Sequence, residues 1–316
     1  MKICILDKSS MGEDTPVDAI YKFGEVKIYD STSENETPER VSDVDVIITN
    51  KVKITEEVIK SAKHLKLVCV FATGFDNVNI NAARASGVAV CNVPGYSTDS
   101  VALLTVATAL SLYSHLGEYN EYVKSGEYTA SGVANRLVPV FHELKGKTWG
   151  IVGYGNIGKA VGKVASAFGM KVVVNKRTTV SDAICVDIDT LCKESDIISL
   201  HCPLNEGTRN LINAEKLALM KSSTILVNEA RGAVLDEKAV AEAVKNGTIG
   251  GFGCDVYSVE PFSKEHPYNE IMNLPNVILT PHAAWGAYEA RVRCVSTISN
   301  NISAFLSGEN LNRVDI

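Results

Sequence analysis

Trp149-Gly150-Ile151-Val152-Gly153-Tyr154-Gly155-Asn156-Ile157-Gly158 is the stretch that decides the fold. An apolar run ends in glycines at 153, 155 and 158, and a helical pattern opens at Asn156 and continues to Phe168. Alone, G-x-G-x-x-G is a weak motif. Between a strand and a helix it is a dinucleotide fingerprint. Gly153 permits the tight turn, Gly155 lets the backbone approach a pyrophosphate, and Gly158 allows close helix–strand packing. The free N–H groups at the helix start favour negative charge, so Tyr154, Asn156 and Ile157 join the cofactor-binding turn. A tight turn that holds no ligand is the plain alternative, and the strand–helix context weighs against it.

The same alternation extends outward from this turn. Apolar runs at Thr148–Val152, Lys171–Val174, Ile197–His201, Thr224–Asn228, Gly250–Asp255 and Val277–Thr280 read as strands. Helical patterns lie between them at Asn156–Phe168, Thr190–Ser195, Ala214–Met220 and Glu237–Lys245. Upstream, Ile3–Leu6, Asp43–Thr49, Lys66–Ala72 and Val88–Val93 read as strands, with a helix at Asn79–Ala85. Strands apolar on both faces and interleaved with helices predict parallel sheets covered by helices. Ser97–Lys124 reads as one long helix, Gly126–Leu144 as a connecting loop, and Tyr288–Leu306 as a final helix. The fold class is α/β, with two doubly wound units.

Composition excludes several function classes. The chain has 316 residues, 46% hydrophobic and 22% charged, as expected of soluble globular domains rather than disordered chains. With 31 Lys+Arg against 37 Asp+Glu, the net charge of −6 lacks the basic footprint of a nucleic-acid or anionic-membrane binder. Val101–Leu112 is too short to span a bilayer, and Met1–Asp7 is too short for a signal peptide. The 8 cysteines form no C-x-x-C pair. They read as small buried hydrophobes in a reducing compartment, so a cytoplasmic protein without disulfides is expected. No ligand cluster suggests a metal.

About 20 residues past the glycine turn, an NAD site wants an acid for the ribose 2′-OH. Here the strand end reads Val174-Asn175-Lys176-Arg177-Thr178-Thr179. Two cations and two hydroxyls suit a 2′-phosphate, so Asn175, Lys176 and Arg177 point to NADP(H) over NAD(H). A solvated basic turn that tolerates either cofactor is the alternative.

Three later strand ends carry candidates for chemistry, as expected in an open α/β sheet. They are Asn228-Glu229-Ala230-Arg231-Gly232, Asp255-Val256-Tyr257-Ser258-Val259-Glu260-Pro261 and Pro281-His282-Ala283-Ala284-Trp285. Taken singly, each polar residue is more often structural. In this order, after the glycine turn, the set resembles the D-isomer-specific 2-hydroxyacid dehydrogenases, and more weakly their glycerate dehydrogenase/hydroxypyruvate reductase branch. Ala72-Thr73-Gly74-Phe75-Asp76-Asn77-Val78, Asn92–Ala102 and His201-Cys202-Pro203-Leu204 with Thr208 resemble further family segments.

The resemblance implies a Rossmann cofactor domain, 99–288, inserted in a flavodoxin-like substrate domain of 1–98 plus 289–316, with the active site in the cleft between them. It implies that Arg231 holds the substrate carboxylate, that His282 is the general acid/base, and that Glu260 orients its imidazole and favours the imidazolium. It places backbone groups of Thr73 and Gly74, with Trp285, at the substrate. It assigns His201, Pro203, Thr208, Ala230, Asp255 and His282 to the cofactor, Asp255 to its carboxamide. Phe71, Phe75 and Tyr96 are further candidates for the substrate pocket. A homodimer through the cofactor domain follows by resemblance only. The expected reaction is NAD(P)-dependent reduction of a small 2-oxo acid, hydroxypyruvate or glyoxylate first. The alternatives are larger 2-oxo acids, formate or phosphite as hydride donor, and a corepressor-like interaction module. Lys176-Arg177 and Glu229 depart from the family pattern; Glu229 stands where a small or neutral residue is more usual, and a solvent-pointing side chain and a repulsive charge near the cofactor are its two readings.

Overall fold

The computed structural model describes residues 1–178 and 180–316. The chain forms two compact units, Met1–Ser97 with Gly286–Ile316, and Thr98–Trp285.

In the first unit, β1 (Lys2–Ile5), β2 (Glu25–Ile28), β3 (Val46–Thr49), β4 (Leu67–Val70) and β5 (Ala89–Cys91) form a parallel sheet in the order β2-β1-β3-β4-β5. This is the flavodoxin-like order. β3, β4 and β5 are buried along their length, as is β1 after Lys2, whereas edge strand β2 alternates exposed Glu25 and Lys27 with half-buried Val26 and Ile28. That alternation hid β2 from a reading keyed to continuous apolar runs. The last helix, Tyr288–Leu306, belongs to this unit. Its Ser299 donates to the Ala19 carbonyl at 3.2 Å and its Asn301 to the Asn92 carbonyl at 2.9 Å. The tail then returns to β5, where Asp315 accepts from the Val90 N–H at 2.8 Å.

In the second unit, β6 (Thr148–Val152), β7 (Lys171–Asn175), β8 (Ile184–Cys185), β9 (Ile197–Leu200), β10 (Ile225–Asn228), β11 (Gly251–Cys254) and β12 (Val277–Leu279) form a parallel sheet in the order β12-β11-β10-β9-β6-β7-β8. It is the dinucleotide-fold order extended by one strand, with the switch point between β6 and β9. Trp149 on β6 is fully buried, and its indole N–H donates to Ser199 on β9 at 2.9 Å.

The expected single helix from Ser97 to Lys124 is instead two, Thr98–Tyr113 and Leu116–Lys124, bent by 65°. His115 breaks the helix with φ 52°. The cause is burial. The first segment hides Val101, Ala102, Thr105, Thr108, Ala109 and Leu112, while the second buries nothing and turns along the surface. Within the expected loop, Glu127–Ser131 forms one short helix. No single helix among the described residues is long and apolar enough to cross a membrane. All eight cysteines are free. Burial pushes the thiols of Cys4, Cys91, Cys192 and Cys202 up to about 11, which leaves them poor nucleophiles.

Helix Thr98–Tyr113 packs directly on β11, where a Cβ at Gly253 would stand 2.3 Å from the Thr108 methyl carbon. Gly253→Ala should therefore cost about 1–3 kcal/mol in denaturant unfolding, through overpacking. Thr108→Ser in the same chain removes that methyl and should recover most of the loss. A double variant no more stable than Gly253→Ala would show that the contact is not the cause.

Candidate active site

The glycine turn is built as a phosphate cradle. Gly153 has φ +91°, and a Cβ there would stand 2.6 Å from the Cys202 backbone nitrogen. At Gly158 a Cβ would stand 2.3 Å from the Gly153 carbonyl oxygen, whereas at Gly155 it would meet nothing within 4 Å. Two glycines thus close the packing, and the middle one keeps open a space that a side chain would fill. Gly155 is also the N-cap of helix Asn156–Ala167, and no side chain caps it. The first-turn N–H groups remain available to an anion. These residues fit the pyrophosphate of a dinucleotide.

The Gly153 N–H donates to the Asn175 carbonyl at 2.9 Å, which ties the turn to the end of β7. The Asn175 side chain donates to the Val186 carbonyl at 3.0 Å. Lys176, Arg177 and Thr178 follow, all exposed. Among the described residues, neither cation forms an ion pair. Thr179, the second hydroxyl of the expected phosphate-reading cluster, lies outside the described residues.

Several expected cofactor residues turn their side chains into the protein. The Tyr154 ring is buried against Gly162. The His201 imidazole bonds Ser199 through Nε2 at 3.0 Å, Nδ1 is enclosed, and burial pushes its pKa down to about 3. The Thr208 hydroxyl donates to the Pro203 carbonyl at 2.6 Å and staples its own loop. What His201 and Tyr154 offer a ligand is backbone.

The catalytic candidates sit on three adjacent strand ends. After β10, Asn228 accepts from the Ala230 N–H at 3.0 Å and donates to the Arg231 carbonyl at 3.0 Å, which fixes the turn. Arg231 donates to the Ala230 carbonyl at 2.8 Å and, among the described residues, forms no ion pair. Gly232 packs against the segment after β11: a Cβ there would stand 2.0 Å from the Tyr257 carbonyl carbon. On that segment Glu260 meets His282, with Oε2 2.6 Å from Nδ1, and its Oε1 accepts from the Tyr257 N–H at 3.0 Å. The imidazole is thus anchored on one nitrogen and presents Nε2. The pair is partly open, at 28% and 31% side-chain exposure.

Asp255, expected at the cofactor carboxamide, is engaged within the protein. It is 1% exposed, and its Oδ1 accepts from the Thr280 hydroxyl at 2.6 Å and the Ala283 N–H at 2.8 Å. Its Oδ2 accepts from the Ala284 N–H at 2.9 Å, and its carbonyl from the His282 N–H at 2.8 Å. The residue holds the turn that carries His282, whose φ of 53° is left-handed.

Glu229 is 8% exposed, and both its oxygens are enclosed without a hydrogen-bond partner. Burial, and then the nearby Asp255, push its pKa up to about 9. In the first unit, the Thr73 hydroxyl donates to the Val93 carbonyl at 2.8 Å, and Asn92 donates to the Thr73 carbonyl at 2.8 Å. Phe71 and Tyr96 are buried in that unit.

Sequence reading missed Glu237, at the start of helix Glu237–Lys245. Its carboxylate accepts from the Ser258 N–H at 2.8 Å, pairs with the Ser258 hydroxyl and lies 3.1 Å from His266 Nε2. It clamps the segment that carries Glu260. Only its place in the first turn hinted at it, and a helix-start acid has its own local explanation.

Comparison with known proteins agrees with this geometry. A family model described as D-isomer specific 2-hydroxyacid dehydrogenase, NAD binding domain, matches residues 106–284. The chain is 35% identical over 324 residues to a hydroxypyruvate reductase of Blautia hydrogenotrophica, covering 100% of both chains. It is 40% identical over 279 residues to a glyoxylate reductase of Thermococcus litoralis, covering 86% of this chain and 83% of that one. Among solved structures it is similar to D-lactate dehydrogenase from Aquifex aeolicus complexed with NAD and lactic acid. That similarity has TM-score 0.87 at 29% identity, over 100% of this chain and 99% of that one.

Glu237→Ala should free the Tyr257–Glu260 segment. Stability should fall by about 2–3 kcal/mol, as for lost hydrogen bonds to a charged group, and the Ser258 amide should exchange faster. Unchanged exchange at Ser258 would show that the segment is held by other contacts.

Proposed function

Since the chain belongs to the D-isomer-specific 2-hydroxyacid dehydrogenase family, we propose that it reduces a small 2-oxo acid, hydroxypyruvate or glyoxylate, to the D-2-hydroxy acid, with NADPH preferred over NADH. The observation that carries this reading is the His282–Glu260 pair, 2.6 Å apart, on strand ends packed against the Arg231-Gly232 turn. A bound nicotinamide cofactor supplies the hydride. Arg231 pairs its guanidinium fork with the substrate carboxylate and orients the oxo carbon. His282 donates a proton from Nε2 to the oxo oxygen as negative charge develops there, and in oxidation it takes the proton back. Glu260 holds Nδ1, which fixes tautomer and ring orientation.

Gly153, Gly155 and Gly158 with the helix start would hold the pyrophosphate, and Lys176 and Arg177 the 2′-phosphate. Support for the preference comes from the absence of an acid after β7 and from two exposed cations there. Relatives named for hydroxypyruvate and glyoxylate support the substrate class. A second copy of the chain is proposed to cover the 98–142 region, where Leu103, Leu116, Leu137, Val140 and Phe141 are each more than half exposed. Sedimentation equilibrium should report a dimer, and a monomer at micromolar concentration would sink that proposal.

A panel of 2-oxo acids assayed with both reduced cofactors tests the reading directly. Turnover is expected with hydroxypyruvate or glyoxylate. Cofactor binding with no turnover on any 2-oxo acid would overturn it. His282→Ala should lower kcat by about 10²–10⁴-fold while cofactor Kd stays unchanged. Lys176→Asp should lower the NADPH/NADH ratio of kcat/KM by about tenfold or more, the worth of one charge-assisted hydrogen bond. An unchanged ratio would remove Lys176 from the phosphate site.

A further inference from the structure

The chemistry proposed above makes no use of Glu229, although it stands two residues before Arg231. Its side chain is more than nine-tenths buried, and neither oxygen has a donor. The turn around it cannot help, because Asn228 is engaged with Ala230 and Arg231, and Arg231 points its guanidinium at the Ala230 carbonyl. The ionisable groups that act on it, or feel it, are Asp255, Cys254 and Tyr257, from β11 and the segment after it. All three are acids, so none can compensate a negative charge on Glu229. A lone buried carboxyl beside other acids keeps its proton.

Topology says what arrives next to this acid. The pyrophosphate cradle follows β6, at the switch point of the sheet. The exposed Lys176-Arg177 pair follows β7, on one side of it. A dinucleotide that sets its adenosine half over β7 must set its nicotinamide half over the ends of β9, β10 and β11. Glu229 follows β10 directly. The oxidised nicotinamide ring carries a positive charge, and the reduced ring is neutral. Of the two, only the oxidised ring can compensate a carboxylate there.

We propose that Glu229 is a proton-linked sensor of the cofactor's oxidation state, protonated in the free protein and with reduced nicotinamide bound, and ionised when oxidised nicotinamide binds. The step balances simply. The Glu229 O–H bond breaks, its electron pair stays on the carboxylate, the proton passes to solvent, and no electron is exchanged. Because binding of the oxidised form releases a proton, that binding tightens as pH rises. The gain ends near pH 9, where the free protein has already lost the proton. Below that pH, for as long as Glu229 stays ionised beside the oxidised ring, the Kd for oxidised cofactor falls by about tenfold per pH unit, and the Kd for reduced cofactor shows no such fall. The effect favours reductive turnover under acidic conditions, since the oxidised product then dissociates more readily.

The inference rests on the dehydrogenase reading, and the experiment separates the two. Calorimetric titration of NADP⁺ and NADPH in buffers of different ionisation enthalpy counts protons exchanged on binding. His282→Asn is used as background, so that no proton of the proposed acid/base enters the count. Near neutral pH, NADP⁺ should release close to one proton and NADPH none, and adding Glu229→Gln should abolish the release. Where Glu229→Gln does not fold, infrared difference spectra of the His282→Asn chain serve instead. The carbonyl stretch of a protonated carboxyl should disappear on NADP⁺ binding. NADP⁺ binding without proton release, or release that survives Glu229→Gln, or an unchanged carboxyl band overturns the sensor alone. Failure to bind either cofactor overturns the dehydrogenase reading with it.

Discussion

The carboxylate of Asp255 is the interaction on which the candidate site depends. It is almost fully buried at the end of β11 and accepts three hydrogen bonds from the turn that follows β12. A charged acceptor with three donors is strong enough to hold that turn in an uncommon conformation, with His282 left-handed. From there the arrangement propagates. His282 meets Glu260, Glu260 is seated by the Tyr257 N–H, and the same segment is pinned by Glu237 through Ser258. Gly232 lets the Arg231 turn press against Tyr257 with no Cβ between them. Three parallel strand ends are thereby locked into one surface by polar contacts, while the apolar sheet beneath supplies only their spacing.

Much of this was legible in the sequence because the signals were local. The Gly153–Gly158 turn, strand Thr148–Val152 and helices Glu237–Lys245 and Tyr288–Leu306 follow from patterns within a few residues. His282, Glu260 and Arg231 were found by motif, and the structure brings Glu260 and His282 into contact. The failures concern long-range effects. β2 alternates because it is an edge, and β8 has only two residues, so neither shows a buried run. The bend at His115 reflects where the sheet stops covering the helix, which no local pattern encodes. Asp255 and Glu237 look alike in sequence, as acids at element ends, and their partners lie 21 to 29 residues away.

Charge teaches a related lesson. The net charge of −6 is a property of the whole chain, yet the charges at the candidate site act singly and locally. Lys176 and Arg177 stand exposed, where a phosphate can still reach them. Arg231, without a carboxylate partner among the described residues, keeps its fork for an incoming anion. Surface ion pairs such as Lys2–Asp43 and Lys53–Glu34 have found partners already and contribute little.

Two acids, Asp255 and Glu229, lie close together at the ends of neighbouring strands, and the protein treats them oppositely. Three donors solvate the Asp255 carboxylate; none reaches Glu229. Burial without donors, and then the neighbouring acid, push the Glu229 carboxyl up to about 9. The donors at these strand ends converge on Asp255, where they hold the turn that carries His282. A neutral Glu229 follows first from its own burial without a donor, and then from the acid beside it. Any change that removes donors from Asp255 should loosen the histidine turn.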